Sequence, residues 1–187
     1  METMKQKEVR IARQTIWRML NSTIAMIALA LTLTASVVIP EVLERREYNS
    51  EIAQLIKDEG IVYNVYKDSL GKATIGVGHL ILPEDDFKKL SPEQVILLLK
   101  KDYDTARAHV RSTYPWADND VQLVLTNMTF QMGKSGVGKF KGMIAALKIE
   151  DYELATIEML DSKWSRQTPK RSQRLAGRIL ELDNDWW

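Results

Sequence analysis

Two carboxylic acids and a threonine follow one another in an order that suits acid–base chemistry. Glu59 precedes Gly60 at the expected end of a helix, Asp68 follows nine residues later at a predicted hairpin, and Thr74 lies six residues further on a predicted strand. A helix end and a hairpin can face each other across a cleft. Cleavage of a glycosidic bond needs such a pair of acids. One is protonated and donates its proton to the leaving oxygen, and the other is ionised and activates water or stabilises the cationic sugar on the opposite face.

The same residues have structural interpretations that stay open on spacing alone. A glutamate before a glycine at a helix end is usually solvated, and an aspartate shortly before Gly71 is a common turn former. Carboxyl groups about 6.5–9.5 Å apart leave room for a water and invert the anomeric carbon, whereas about 5 Å favours a covalent intermediate. The spacing along the chain is compatible with both distances.

The composition argues against several other kinds of site. The 187 residues contain no cysteine, which excludes disulfides, thiolate metal ligands and cysteine nucleophiles. With only two histidines, His79 and His109, a metal site built on imidazoles is not expected, and no cofactor is predicted. Hydrophobic residues make up 45% and charged residues 27% of the chain, which is typical of a globular domain. The net charge of +1 identifies no partner.

An uncharged, apolar segment lies near the N-terminus. As a helix, residues 23–39 would span about 26 Å, slightly less than the roughly 30 Å hydrocarbon core of a bilayer. Five basic and two acidic residues precede the segment, so the positive-inside rule predicts a cytoplasmic N-terminus and an exported remainder. We predict an uncleaved membrane-anchoring helix, with a cleaved signal peptide and a buried core helix as the alternatives.

The rest of the chain predicts an α+β, mostly helical fold, in which a small antiparallel sheet precedes a set of helices. Four regions are expected: a basic leader at 1–22, the anchor at 23–39, a linker or helical extension at 40–49, and one domain at 50–187. The domain begins with a helix at 50–58 that Asn49 or Ser50 can cap. Strands are predicted at 62–66, 73–77 and 79–82, and helices from 91 until Pro115 and at 118–132, 141–148, 151–162 and 169–180.

Several helix ends carry their own signals. Ser91, Pro92 and Gln94 form an N-cap, a first-turn proline and a capping-box partner. Gly133 is expected to end the central helix, and Thr168 to cap the last one. A cleft between a sheet lobe and a helical lobe is where an extended polymer would bind. The apolar face predicted for the helix after Ser91 consists of Val95, Leu98, Leu99, Tyr103, Ala106 and Val110.

Three blocks of sequence resemble, in order, parts of the phage-type lysozymes of glycoside hydrolase family 24. EGIVYNVYKDSLGKATIGVGH resembles their catalytic segment, NMTFQMGKSGVGKF their central helix and following turn, and SKWSRQTPKRSQR their C-terminal helix-capping motif. Together the blocks span roughly residues 50–180, nearly all of the predicted domain. The resemblance implies a two-lobed lysozyme fold and hydrolysis of the β-1,4 bond between N-acetylmuramic acid and N-acetylglucosamine in peptidoglycan.

The resemblance also implies a role for each reactive residue. It implies Glu59 as the general acid, Asp68 as the carboxylate that positions water or stabilises the cationic sugar, and Thr74 as a residue that orients the attacking water in an inverting reaction. Arg171 matches an arginine that pairs with the catalytic glutamate. Because a guanidinium stabilises a carboxylate, burial under substrate must outweigh it if Glu59 is to hold a proton.

Further positions match the family outside the reactive group. Leu80, Phe130 and Gln131 match residues that line the glycan-binding cleft. Two more cleft positions differ from the family, at Met143 and Glu158, which leaves the subsite preference open. The resemblance also implies two structural ion pairs, Arg174 with Asp58 and His79 with Asp102.

The anchor followed by such a domain resembles the signal-anchor-release endolysins, which are held inactive on the inner membrane and released when it depolarises. The expected partners are peptidoglycan glycan strands and, through the N-terminal helix, the inner membrane, with the catalytic domain in the periplasm as a monomer. Nucleic acid is not an expected partner, because no nucleic-acid-binding motif is present. The alternatives are a secreted lysozyme with a cleaved leader, or an inactive membrane-tethered peptidoglycan-binding protein, in which one of the three reactive residues should be damaged.

Overall fold

The computed structural model of the chain describes residues 42–68 and 71–184, which belong to two compact units. The first unit, Met1–Ser50, is described from residue 42 onward, and those residues are helical. The second unit, Glu51–Trp187, contains a three-stranded antiparallel sheet and the remaining helices. The α+β, mostly helical class is therefore confirmed.

Residues 42–50, which lie mostly in the segment predicted as a linker or helical extension, are helical. Asn49 and Ser50 lie among helical residues, so the helix start predicted there is wrong. A side chain caps only the exposed N–H groups of a first turn, and these residues do not border one. The predicted anchor at 23–39 lies outside the described residues, and the helices that are described are too short or too polar to span a bilayer.

The sheet lobe, residues 62–80, follows helix α1, which occupies residues 51–59 of the second unit. Its strands are β1 (Val62–Lys67), β2 (Ala73–Gly76) and β3 (His79–Leu80), in the order β1-β2-β3, close to the predicted strands. The register pairs Thr74 of β2 with Tyr66 of β1 and with Leu80 of β3. Directly opposed residues of antiparallel strands project to one face, so these three side chains form a row across the sheet.

Helix α2 (Pro92–Thr113) connects the sheet to the other helices. Ser91 and Gln94 form the predicted capping box, and the buried residues of α2 are the six predicted for its apolar face. The N-terminal half of α2 covers the sheet, because a Cβ at Gly76 would touch side chains of Val95 and Leu98. Its 22 residues extend over about 33 Å, long enough to reach from the sheet to α3, which packs against it.

The helical lobe consists of the elements after α2. They are α3 (Asn119–Val137), α4 (Lys141–Lys148), α5 (Tyr152–Leu160), α6 (Lys163–Gln167), α7 (Pro169–Glu181) and a short 3₁₀ turn, Leu182–Asn184. Its core is one continuous cluster to which α3, α4, α5 and α7 all contribute. Trp164 is 9% exposed and belongs to this cluster.

Three helix ends in this lobe differ from the prediction. Gly133 takes a φ of 73° and interrupts α3, but the helix resumes after it. Ser162, predicted inside a helix, instead accepts a hydrogen bond from the backbone N–H of Ser165 and starts the unpredicted helix α6. Thr168 precedes α7 as predicted, but its hydroxyl donates to the carbonyl oxygen of Trp164 and does not cap α7. Each difference comes from a local hydrogen bond or dihedral angle that apolar periodicity does not encode.

Candidate active site

Glu59 ends helix α1 and lies between α7 and the sheet lobe. The helix ends there because Gly60 adopts a φ of 76° and donates its N–H to the carbonyl oxygen of Ile56 at 2.9 Å. Oε1 of Glu59 accepts a hydrogen bond from Nη1 of Arg171 at 2.8 Å. Oε2 faces the β2–β3 turn, 3.9 Å from the position of a Cβ at Gly78. With a side chain 25% exposed, the carboxyl group is fixed but accessible.

Two arginines of α7 hold the end of α1. Arg171 is 4% exposed and donates from Nε to Oδ2 of Asp58 at 3.0 Å, while Arg174 donates from Nη2 to the same oxygen at 2.6 Å. Both expected pairs are present, and Arg171 also bridges the two acids. Burial would raise the pKa of Asp58, but hydrogen bonds from Arg174 and Gln54, together with the charges of both arginines, lower the pKa below its usual value. Asp58 therefore serves the scaffold as an ionised carboxylate.

Asp68 follows β1 and organises the β1–β2 hairpin. Its Oδ1 accepts a hydrogen bond from the backbone N–H of Lys72 at 2.8 Å, and its own N–H donates to the carbonyl oxygen of Lys72 at 2.9 Å. Its carbonyl oxygen accepts from the N–H of Gly71 at 2.9 Å. The turn-former interpretation is therefore correct. It is also compatible with catalysis, because the turn fixes the Asp68 carboxyl group relative to the strand that bears Thr74.

Thr74 is at the centre of the row that crosses the sheet. It is 4% exposed, and its hydroxyl donates to the carbonyl oxygen of Lys72 at 3.2 Å, which leaves the Thr74 oxygen able to accept a hydrogen bond. Its neighbour Leu80 is 42% exposed, so the row reaches the surface on the β3 side. The register thus joins two of the predicted site residues directly.

Tyr66, the other neighbour of Thr74, interacts electrostatically with both Glu59 and Asp68. Burial raises the pKa of the Tyr66 phenol, and the negative charges of Glu59 and Asp68 raise it further. The phenol therefore stays protonated and can donate a hydrogen bond close to both carboxyl groups. Sequence reasoning missed Tyr66, although its place two residues before Asp68 and opposite Thr74 follows from strand alternation and the hairpin.

The other residues predicted to line the cleft lie on α3. Phe130 and Gln131 are half-buried, and Oε1 of Gln131 accepts a hydrogen bond from the indole Nε1 of Trp164 at 2.8 Å. This hydrogen bond fixes the Gln131 side chain against the indole of Trp164.

His79 attaches the sheet to α2. Its Nδ1 lies 2.7 Å from Oδ2 of Asp102, the expected pair, and its Nε2 lies 3.1 Å from Asp85, a second partner that was not predicted. Burial raises the pKa of Asp102, whereas hydrogen bonds from the Leu82 N–H and from His79 lower that of Asp85. Within residues 42–68 and 71–184, no three His, Asp or Glu side chains are arranged to hold a metal ion.

The model of one protein family covers most of the region just described. The family is Phage lysozyme, and the match runs over residues 56–179, from the end of α1 into α7. The chain belongs to the phage lysozyme family. As a family member it is a glycoside hydrolase of the lysozyme type, and the match includes every residue of the candidate site.

Relatives of this lysozyme include proteins of similar size and one much longer chain. Probable T4-type lysozyme 2 of Dictyostelium discoideum is 31% identical over 155 residues, covering 67% of this chain and 91% of the relative. Probable T4-type lysozyme 1 of the same organism is 32% identical over 159 residues, covering 70% and 94%. The pre-baseplate central spike protein Gp5 of Enterobacteria phage T4 is 30% identical over 160 residues, covering 71% of this chain but 28% of the spike protein. The similar region therefore forms almost all of two relatives and one part of the third.

Proposed function

We propose that this lysozyme hydrolyses the β-1,4 bond between N-acetylmuramic acid and N-acetylglucosamine in peptidoglycan. The observation that carries the proposal is the position of Glu59. Its Oε1 is held by Arg171 at 2.8 Å, while its Oε2 faces the Gly78 turn of the same sheet lobe that carries Asp68 after β1 and Thr74 on β2. Membership of the phage lysozyme family supports this reaction class.

The reaction needs one proton donor and one activated water. Glu59 gives its proton to the glycosidic oxygen as the bond to the anomeric carbon breaks. Asp68, ionised, stabilises the cationic sugar and takes the proton of the water that attacks the anomeric carbon from the opposite face. Thr74 accepts a hydrogen bond from that water and fixes its direction. One water is consumed, the product has inverted configuration, and Glu59 and Asp68 exchange protons with solvent afterwards.

Substrate binding itself helps Glu59 to act as an acid. The side chain is 25% exposed without substrate, and a saccharide over it would remove the remaining water. Desolvation favours the neutral acid and opposes the effect of the Arg171 guanidinium. The contact with Arg171 then serves to aim the carboxyl group, because it fixes Oε1 and leaves Oε2 toward the sheet.

The test compares Glu59→Gln with wild type on purified cell walls. Glutamine keeps the shape and an acceptor for Arg171 but has no acidic proton, so turnover should fall by a factor of about 10³ or more. Glu84→Gln, an exposed change in the loop after the sheet, is the matched control and should retain full activity. NMR of the first-formed product should show the inverted anomer. Equal clearing of walls by Glu59→Gln and wild type would remove Glu59 from the mechanism and would favour a binding protein without catalysis.

We further propose that the protein acts in host-cell lysis and reaches the periplasm by its N-terminal segment. The basic leader and the uncharged residues 23–39 support a single-pass anchor with a cytoplasmic N-terminus. Fractionation of expressing cells should find the full-length chain in the inner membrane. Collapse of the membrane potential should then release the chain to the periplasm. A mature N-terminus beyond residue 39 would instead identify a secreted lysozyme with a cleaved leader.

A further inference from the structure

Helices α3 and α7 pack against each other and run in opposite directions. Asp120, in the first turn of α3, accepts a hydrogen bond at 2.9 Å from Nε of Arg178, in the last turn of α7. Further along α3, Gln131 accepts one at 2.8 Å from the indole of Trp164, which precedes α7 in the chain. Residue numbers therefore rise along α3 while they fall along the segment that faces it.

Asn127 and Arg171 lie between these two contacts. Asn127 follows Asp120 by seven residues along α3, and Arg171 precedes Arg178 by seven residues along α7. Seven residues make two helical turns and advance about 10.5 Å, so each residue lies on nearly the same face of its helix as the one that forms the first contact. Asn127 is therefore on the side of α3 toward α7, at the level of Arg171.

Both residues are buried, and each has polar atoms without a partner. Asn127 is 0% exposed, and neither Oδ1 nor Nδ2 of its amide forms a hydrogen bond within the described part of the chain. Arg171 uses Nε for Asp58 and Nη1 for Glu59, whereas its buried Nη2 has no acceptor among the described residues. Native proteins satisfy nearly all such groups, either with protein atoms or with ordered water.

We propose that Asn127 and Arg171 hold one internal water between them, and that Asn127 is thereby a positioning residue for Glu59. Nη2 of Arg171 donates to the water, and the water donates to Oδ1 of Asn127. A mediator is needed because neither group forms a hydrogen bond with the other in the structure. The proposal rests on the muramidase function proposed above, in which Glu59 is the acid.

The water fixes the one corner of the Arg171 guanidinium that the acids leave free. Asp58 and Glu59 hold Nε and Nη1, so a bond at Nη2 keeps the guanidinium plane from tilting and keeps Oε1 of Glu59 in place. Misplacement of a reacting group by 1 Å can cost a factor of about 100 in rate. Because Asn127 is 0% exposed, it cannot touch a saccharide, and its contribution should appear in kcat and not in KM.

The test compares Asn127→Leu with wild type on purified cell walls, well below the Tm of both proteins. Leucine has a similar shape but cannot bind the water, so kcat should fall about ten-fold with KM unchanged. Asn127→Asp keeps an oxygen acceptor at the same position and should retain most of the activity. The matched control is Thr126→Val, which removes a buried hydroxyl from a different face of α3 and should keep the wild-type kcat.

A double-mutant cycle tests whether Asn127 acts through Arg171. In an Arg171→Met background, Asn127→Leu should change kcat by less than about two-fold, because the group that Asn127 positions is absent. A crystal structure of wild type should show an ordered water within hydrogen-bond distance of both Oδ1 of Asn127 and Nη2 of Arg171. This structure decides the proposal even if Asn127→Leu does not fold.

Three results would overturn the proposal. They are a wild-type kcat in folded Asn127→Leu, an equal loss of kcat with and without Arg171, and a crystal structure in which no water joins the two side chains. A purely structural role for Asn127 would give the first result, with a lowered Tm and an unchanged kcat. Absence of wall cleavage by wild type would contradict the muramidase function instead, so the two failures are distinguishable.

Discussion

Replacement of Arg171 by methionine should destabilise the protein strongly, because this buried arginine neutralises two acids. The guanidinium donates to Asp58 at 3.0 Å and to Glu59 at 2.8 Å. A hydrogen bond to a charged group contributes about 1.5–3 kcal/mol. Asp58 keeps Arg174 after the change, and Glu59 is 25% exposed, so water replaces part of the loss. We therefore expect a loss of about 3 kcal/mol, the lower end of the range for a broken buried pair.

The assay is urea unfolding, with thermal unfolding as a second measurement. In a unit of this size, a loss of about 3 kcal/mol lowers Tm by about 10 °C. Arg166→Met is the matched control, since Arg166 is 65% exposed and lies 3.7 Å from an Asp161 that is itself 92% exposed. Such a surface pair contributes about 0.5 kcal/mol or less.

The double variant Arg171→Met/Asp58→Asn identifies the cause of the loss. If the instability comes from carboxylates left without a partner, removing one of them should restore about 1 kcal/mol. If Arg171→Met unfolds like Arg166→Met, within about 0.5 kcal/mol of wild type, the ion bridge does not hold the end of α1 and the reasoning is refuted.

The site leads to two further predictions. The pKa of Asp58 is lower in the folded protein than its unfolded value of 3.8. The ionised carboxylate therefore stabilises the fold above pH 3.8, and this stabilisation is lost as the pH falls through the folded pKa. When the free energy of unfolding in urea is measured from about pH 6 to about pH 2, Asp58→Asn should show a weaker dependence on pH than wild type. Tyr66→Phe should lower kcat on cell walls roughly ten-fold with little change in Tm, because only a hydrogen-bond donor is lost, whereas Tyr63→Phe on the same strand should leave kcat unchanged.

The elements that carry strong local signals could be predicted from the sequence. Ser91 and Gln94 satisfy each other's backbone groups without help from distant residues, and the apolar period of α2 matches its buried face residue for residue. The end of α1 was equally clear, since Gly60 alone supplies the left-handed conformation that ends a helix next to Glu59. These features depend on a few neighbouring residues, which a sequence displays directly.

Features that depend on residues distant in sequence could not be predicted from local patterns. The second partner of His79 is Asp85, which lies in a loop without periodicity, and the close contact between Gly142 and the Glu158 side chain joins two separate helices. The helix start predicted at Asn49 or Ser50 was wrong because either residue offered a plausible local cap. In each case a tertiary contact or a continuing helix outweighs a weak local preference.

The position of the proposed acid links stability to catalysis in this lysozyme. Glu59 is the last residue of its helix, and terminal helical turns normally fray because their carbonyl groups lack partners. Here α7 holds that turn through Arg171, which is itself buried, at 4% exposure. Loosening of α7 should therefore release the Glu59 carboxyl group before the domain unfolds. Activity should then decline at temperatures below the Tm, and earlier in a variant with a weakened α7 than in wild type.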